Sequence, residues 1–407
     1  METLKFILTN DTYPPNSNGG DANHVFYLSH ELANKGHEVH VISNLNAYSM
    51  LAKRFNWKPI KLEKNPNDAE IYNYSLNSLG GDLEPIKTYV FGKSQFYSAK
   101  FKEILTKVKP DVVHHHDITF LGQNLFQKQG NYIQLYTAHN YWLICPNREL
   151  LRFGKVCEKP SLCSLCLLSS KRLPQVWRWG KSIEETIKDI DVIIAPSEYI
   201  KLRLGFKLNK EIKFLPNFIP NFEKEIVPSG YGNFFLFVGQ LIERKGIMNI
   251  LNTFKQHKNE IDANLIIVGS GSLEFEIKNY IKDHGLEKKV ELLGRVDNEQ
   301  LWSLYNDALA LIVPSIWPEN NPLVALEAMS VGTPVIGTNA GGLGEIIEKV
   351  DKNLIINGDG LNEIKMILEE KNFYPKKRIR EVYDQWYSPE VYLNKYKQLY
   401  QKVELNV

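Results

Sequence analysis

The chain has 407 residues, 43% apolar and 24% charged, a composition that predicts two or three packed soluble domains. Its 49 Lys+Arg against 47 Asp+Glu leave a net charge of +2, which argues against a nucleic-acid partner. No apolar run approaches the ~18–20 residues that span a bilayer, and METLKFILTND reads as a strand rather than a secretory signal, so the expectation is a cytoplasmic protein.

In chain order, residues 5–8 form a short apolar strand. The polar loop DTYPPNSNGGDAN follows, then an amphipathic helix HVFYLSHELANKG closing at Gly36, then a strand over 37–43. A second group runs from a strand at 111–114 through a helix to a strand at 132–136 that leads into Thr137-Ala138-His139. A third ends on the strand 191–195 and Pro196-Ser197. Short apolar strands joined by helices predict parallel sheets covered on both faces. LPNFIPN at 215–221 breaks this rhythm with two prolines. A new alternation then brings strands at 234–238, 264–268, 290–293, 310–313 and 334–337. The fold class is therefore α/β, with two Rossmann-like doubly wound parallel-sheet domains and a hinge near 218–232. A last helix, from about 389 to 403, carries Tyr392, Tyr396, Leu399 and Tyr400 on one face, which must pack on something.

Ligands of open parallel sheets sit beyond the carboxyl ends of strands, where strand order reverses. The candidates are thus residues just after strands: Gly19-Gly20, His114 to His116, His139, residues 239–245 and 269–271, Arg295, and WPENNPLVALEAMSVGTPV at 317–335. In that last segment Pro322 suits a first helical turn with Asn321 as N-cap. The free N–H groups of Leu323 and Val324, with the helix dipole, then make an anion site. Glu327, ~7 Å further along the axis, is too close to a bound anion to be its ligand. It suits accepting two hydroxyl hydrogen bonds, as from a ribose, and Glu319 suits the same task for a sugar. The plainer reading makes Glu319 a solvated loop acid and Glu327 a helix-dipole partner. Arg244 and Lys245 in VGQLIERKG either face a diphosphate leaving group or form a solvated basic pair. GTNAGGLGEII permits close backbone approach before Glu345, or is a flexible loop.

Pro314-Ser315, Glu319, Glu327-Ala328-Met329, Gly332-Thr333-Pro334-Val335, Gly341-Gly342-Leu343 and Glu345 together resemble the signature of glycosyltransferase family four, of the retaining GT-B type. Pro14-Pro15, Gly19-Gly20 and Gly36-His37-Glu38-Val39 resemble that family's donor-phosphate loop and first helix. Residues 111–114, 137–139 and 195–197 fall in the same order, so the resemblance covers nearly the whole chain. It implies an acceptor-binding domain over 1–222, joined by a terminal helix within 387–407 that crosses back to it. A donor domain over 223–386 would face it across a cleft. It also implies a metal-independent hexosyltransferase, acting with retention in cell-surface polysaccharide or glycoconjugate synthesis. Its partners would be a nucleotide-sugar donor and a saccharide or lipid-linked acceptor. Carried over, Glu327 binds the ribose, Glu319 the transferred sugar, and the N–H groups of Leu323 and Val324 the distal phosphate. Lys245 and Arg244 meet the leaving diphosphate, Arg295 and Val296 the nucleobase, and Gly20 approaches the phosphates from the first domain. His139 lies by the reacting carbon and the acceptor, with His116 as a further acceptor-side candidate. The catalytic set is His139, Glu319 and Lys245. Gln240 stands where the family carries Arg; either Arg244 compensates or the diphosphate is held with one charge fewer.

Asp189-Ile190-Asp191 matches a metal-binding DxD, but Asp191 opens a strand. Cys145, Cys157, Cys163 and Cys166 are spaced C-x11-C-x5-C-x2-C. In a reducing compartment disulfides are disfavoured; a structural tetrahedral zinc site, free thiols and redox-labile cysteines stay open. SSKRLPQVWRWGKS, with Lys171, Arg172, Trp177, Arg178, Trp179 and Lys181, suits peripheral contact with the anionic inner face of a membrane, or is a solvated loop with core tryptophans. The alternatives to a transferase are a nucleotide-sugar epimerase of the same architecture and a non-catalytic sugar-nucleotide-binding protein. A nicotinamide dehydrogenase would want G-x-G-x-x-G after the first strand. The nearest string, Gly269-Ser270-Gly271-Ser272-Leu273-Glu274, puts Glu where the third glycine belongs.

Overall fold

A computed structural model describes residues 3–17, 19–55, 57–59, 70–152, 155–158, 162–180, 183–221, 225–369 and 374–404, with backbone only for 402–404. The chain divides into two units, Met1–Leu215 with Leu393–Val407, and Pro216–Tyr392.

The first unit is built on a seven-stranded sheet of order β3-β2-β1-β4-β5-β8-β9. Its strands are β1 (Lys5–Thr9), β2 (Glu38–Asn44), β3 (Ile71–Leu76), β4 (Val112–His115), β5 (Ile133–Thr137), β8 (Val192–Ala195) and β9 (Ile212–Phe214). A separate antiparallel hairpin pairs β6 (Leu151–Arg152) with β7 (Lys155–Val156). Every pairing in the large sheet is parallel. That arrangement demands cover on both faces, and β1, β4, β5 and β8 are accordingly buried along almost their whole length. The helix Gly20–Asn34 covers one face with Val25, Leu28 and Leu32. Phe101, Ile104 and Leu105 of the helix Gln95–Val108 enter the core with Tyr136 and Phe126. Strands β3 and β9 carry short, mixed sequences and fall outside the strand pattern read above. Both lie at sheet edges, where apolar periodicity is weakest.

Two tyrosines of the terminal helix Pro389–Glu404 find their partners in this unit. Tyr396 and Tyr400 pack on Phe6 of β1, at ring-centroid distances of 6.4 and 5.7 Å. Tyr396 also donates or accepts a 2.9 Å hydrogen bond with Nδ1 of His114.

The second unit is a five-stranded parallel sheet of order β12-β11-β10-β13-β14. Its strands are β10 (Phe234–Val238), β11 (Asn264–Val268), β12 (Val290–Gly294), β13 (Ala310–Val313) and β14 (Val335–Gly337). The helix Ile247–Gln256 buries Ile247, Ile250, Leu251 and Phe254, one stripe at 3.6-residue spacing. The unit boundary falls at Leu215/Pro216 rather than at 222/223, because Asn217 is already tied into the second unit: its N–H and side-chain amide bond to Asn321 at 3.0 and 3.1 Å. The returning segment likewise starts at Leu393 rather than 387. Of the expected hinge over 218–232, residues 222–224 lie outside the described residues.

Both sheets reverse their strand order beside the first strand of the unit, between β1 and β4 in one and between β10 and β13 in the other. Parallel strands put the following loops on one edge, so each reversal opens a crevice at that edge.

Candidate functional site

In the second unit the crevice is floored by the loops after β10, β11, β13 and β14, held together by backbone hydrogen bonds. Leu241 N–H donates to Ser270 O at 3.0 Å, Ile316 N–H to Arg244 O at 3.0 Å, and Gly342 N–H to Glu319 O at 2.8 Å. Close approach forces glycine at two of these points. Gly246 has φ +70° and a Cβ there would stand 1.9 Å from Pro314 O. Gly341 has φ +62° and a Cβ there would stand 2.5 Å from Glu319 O. The glycine-rich turn of residues 337–342 thus fixes the backbone of Glu319.

Glu319 is buried, with 5% exposure, and its Oε1 accepts three hydrogen bonds: Lys245 Nζ at 2.6 Å, Ser315 Oγ at 2.6 Å and Trp317 Nε1 at 2.8 Å. Burial alone would raise this carboxyl. Lys245, then Ser315 and Trp317, outweigh it and hold the group below the ordinary glutamate value. The other oxygen, Oε2, has no hydrogen-bond partner among the described residues. Arg244 lies over the Trp317 ring at 4.8 Å and Lys245 at 5.8 Å.

The helix Leu323–Ser330 starts directly after this loop and is apolar nearly all round, with Leu323, Ala325, Leu326, Ala328 and Met329 buried. Glu327 is its one charged residue, and an unpartnered carboxylate there would cost several kcal/mol. Tyr305, on the helix Asn298–Asp307, supplies a hydrogen bond at 2.7 Å to Glu327 Oε2. Burial still leaves the Glu327 carboxyl raised, with Tyr305 opposing. Glu327 Oε1 has no partner among the described residues. The first backbone N–H groups of the helix, at Leu323 and Val324, have none either, as at any helix start. Arg295, just past β12, is exposed and donates to Ser270 Oγ at 2.9 Å, with Val296 beside it half-buried.

In the first unit the crevice is lined by histidines. His114 and His116 share one face of the chain leaving β4, two residues apart, while His115 faces the other way and bonds Thr9 Oγ1 at 2.8 Å. His139 follows β5, and its Nε2 shares a 2.9 Å hydrogen bond with His116 Nδ1. His24, from the helix Gly20–Asn34, brings its ring centroid to 5.0 Å from that of His139. The ring nitrogens of His24, His116 and His139 lie within 4.8 Å of one another, the one trio of metal-ligating side chains this close among the described residues. Burial pushes all of these imidazoles down. His139 falls to about 4, with Asp117 pulling the other way, and His115 to about 3. They are neutral at physiological pH. Behind them Asp117 is ion-paired to Arg148, and the buried Asp11 accepts the backbone N–H groups of Phe120 and Leu121. Burial, then the Asp117 charge, raises Asp11 well above the usual carboxylate range.

Residues 18–220 match the family model "Glycosyltransferase Family 4", and residues 219–372 match "Glycosyl transferases group 1". The chain belongs to glycosyltransferase family 4. Among its relatives, N-acetyl-alpha-D-glucosaminyl L-malate synthase of Bacillus anthracis is 28% identical over 386 residues, 92% of each chain. Sucrose-phosphate synthase from Thermosynechococcus elongatus superposes with a TM-score of 0.72 at 20% identity, over 99% of this chain and 100% of that one. HepE of Anabaena, solved in complex with UDP, superposes with a TM-score of 0.63 at 14% identity, over 97% and 99% of the two chains. These likenesses show the GT-B fold of a glycosyltransferase.

Within this family 4 glycosyltransferase several sequence expectations need correction. Asn321 does not cap the helix and Pro322 is not in its first turn. Pro322 has ψ 120°, an extended value, so the helix begins at Leu323, and the Asn321 side chain is spent on Asn217. The basic, tryptophan-bearing segment is half-buried at Arg172, Trp177 and Arg178 and exposed at Lys171, Leu173 and Trp179. Arg178 donates to the carbonyls of Trp142 and Leu143 and lies over Trp177, while Arg172 bonds Asn147 O and Glu149. Trp179 remains 68% exposed, and Lys181 lies outside the described residues. Asp189 and Asp191 sit at the amino end of β8, the edge opposite His139. Both engage Lys128, through its backbone N–H and its Nζ respectively. Gly20 opens its helix and is exposed, behind a Gly19 held at φ +129°. Gln240 is half-buried, and its side chain makes no hydrogen bond among the described residues. Sequence reasoning missed Trp317, Tyr305, Asp117 and Arg148. Trp317 and Asp117 follow strands and were within reach of the strand-end rule. Tyr305 lies mid-helix and Arg148 in a left-handed turn at φ 70°, where no local pattern marks them.

Proposed function

We propose that this glycosyltransferase moves a sugar from a nucleoside diphosphate donor, with retention at the anomeric carbon, to a hydroxyl of a saccharide or lipid-linked acceptor. The observation that carries the reading is the Lys245–Glu319 pair at the crevice of the second unit, next to the unused N–H groups of Leu323 and Val324. A diphosphate entering there draws Lys245 toward itself and, with Arg244 and the helix end, has its developing charge stabilised as it leaves. Glu319 Oε2 accepts a hydroxyl of the transferred sugar and Glu327 Oε1 a hydroxyl of the ribose, while Arg295 and Val296 flank the base. The UDP bound to the Anabaena neighbour supports a nucleotide ligand of this kind.

The first unit serves the acceptor in this reading. A neutral His139, backed by His116, offers hydrogen bonds to hydroxyls without a charge that would repel the electron-poor sugar. The bond from the anomeric carbon to the phosphate oxygen breaks, and a bond to the acceptor oxygen forms on the same face. The acceptor proton passes to the departing diphosphate. A lipid-linked acceptor is favoured by one surface feature: Leu165, Leu168 and Trp179 are 60%, 56% and 68% exposed beside Lys171. Among the described residues no helix is long and apolar enough to cross a membrane, so such contact would be peripheral.

The test is incubation with UDP-, GDP- and ADP-sugars, with and without saccharide and polyprenyl-linked acceptors, monitored for nucleoside diphosphate release and for the anomeric configuration of the product. Release with one donor and an α-to-α transfer is expected. Silence with every donor, or epimerised sugar without transfer, overturns the reading.

A further inference from the structure

Between β5 and β8 the first unit carries a long excursion with little regular structure of its own, residues 138–191. All four cysteines lie in it, and the fold brings them to one place. Cys145, Cys157, Cys163 and Cys166 line a single small cavity with Asn147 and Arg152. Three local devices deliver them. The hairpin β6–β7 folds the chain back so that Cys157 N–H donates to Leu150 O at 2.7 Å. The helix Cys163–Ser169 sets Cys163 and Cys166 three residues apart on one face. Around Cys145 the backbone makes a tight turn, with Arg148 N–H on Cys145 O at 2.8 Å and left-handed φ values of 70° and 53° at Arg148 and Leu150.

That turn keeps Cys145 buried at the wall of the cavity. A coordinated divalent cation takes such cysteines as thiolate ligands. Arg178 and Arg152, whose charges act on Cys163, offset the surplus of negative charge that four thiolates leave around one divalent ion.

We propose that Cys145, Cys157, Cys163 and Cys166 bind one zinc ion as a tetrahedral four-thiolate structural site. Zinc–sulfur bonds of about 2.3 Å require sulfurs about 3.8 Å apart, whereas no three of these lie within 4.8 Å of one another among the described residues. Binding the ion therefore draws the four sulfurs closer together. Its effect reaches the site through the chain. Cys145 N–H donates to Tyr141 O at 2.7 Å, and Arg178 grips the carbonyls of Trp142 and Leu143, so the ion fixes the segment that leaves His139. The inference rests on neither the donor nor the acceptor assignment.

The full chain, purified under reducing conditions without chelator, is expected to carry about one zinc per chain by elemental analysis. Exchanged into cobalt(II), the same protein should show visible d–d bands of tetrahedral cobalt and a strong near-ultraviolet thiolate-to-cobalt band. Both metals should be lost in Cys163→Ser and Cys166→Ser and kept in His116→Ala. The cobalt spectrum of the unaltered chain decides between sulfur and imidazole ligands even where a cysteine variant fails to fold. A chain with no bound metal and four titratable thiols, a disulfide in the reduced preparation, or metal that survives the cysteine variants and leaves with His116 overturns the proposal.

Discussion

At the edge of β10 and β13 the second unit gathers a lysine, an arginine and a carboxylate held below its ordinary pKa. At the corresponding edge of β1 and β4 the first unit gathers histidines that burial keeps uncharged. The backbone plan is the same, a doubly wound parallel sheet whose strand order reverses beside its first strand. The plan explains where a ligand can sit and nothing about which ligand. That choice is made by a few side chains after the strands. One set suits an anion that leaves carrying charge, and the other suits neutral hydroxyls.

The largest effect that could break this contrast is acid. His24, His114, His115, His116 and His139 all have folded-state pKa values below the unfolded value near 6.5, so below that pH the unfolded chain binds protons the folded chain does not. Stability then falls by about 1.4 kcal/mol per pH unit for each such histidine, down to about 4 for His139 and about 3 for His115. Asp11 and Asp21 of the same unit, raised by burial, act in the opposite sense but are fewer. In the second unit Glu319 is lowered, so its contribution is present above the unfolded value of 4.5 and fades only below it. Hydrogen exchange followed by mass spectrometry from pH 7.5 to 5, corrected for intrinsic rates, should show the first unit losing protection while the second keeps it. Simultaneous loss would erase the distinction.

Next in size is Lys245→Ala. It removes the cation facing the leaving group and should lower turnover about 10²–10³-fold, as loss of one pre-aimed charge stabiliser does elsewhere. Lys245→Arg should recover part of it, and an unchanged rate in the alanine variant would mean that the pair with Glu319 is structural. His139→Ala should cost about tenfold in turnover, the upper worth of one hydrogen bond between neutral groups, with nucleotide affinity unaltered by calorimetry. A matching loss of nucleotide affinity would place His139 on the donor and blur the division between the units. Glu327→Ala should weaken nucleotide binding about tenfold, or about 1.4 kcal/mol; a change within twofold removes the ribose assignment. The smallest effect belongs to Arg295→Ala. An exposed side chain with one hydrogen bond to Ser270 should change nucleotide affinity by about two- to fivefold, and stability by under about 0.5 kcal/mol.

The strands buried on both faces were legible from their apolar runs, and so were the residues directly behind them, including Lys245, Glu319 and His139. Edge strands such as β3 and β9 were not, because an edge relaxes the demand for apolar residues on both faces. The sequence by itself settled that the chain makes two parallel α/β units, since periodicity and strand length are local properties, and that it carries the ordered motifs of its family. Only the tertiary structure decided the partners. Glu319 is neutralised by Lys245 from 74 positions away, Glu327 is held by Tyr305 across two helices, and His114 by Tyr396 from the far end of the chain. It likewise spent Asn321 on Asn217 rather than on a cap, and drew four cysteines into one cavity. A buried charge or polar ring must be satisfied by whatever packing brings within hydrogen-bond reach, and sequence spacing carries no record of that distance.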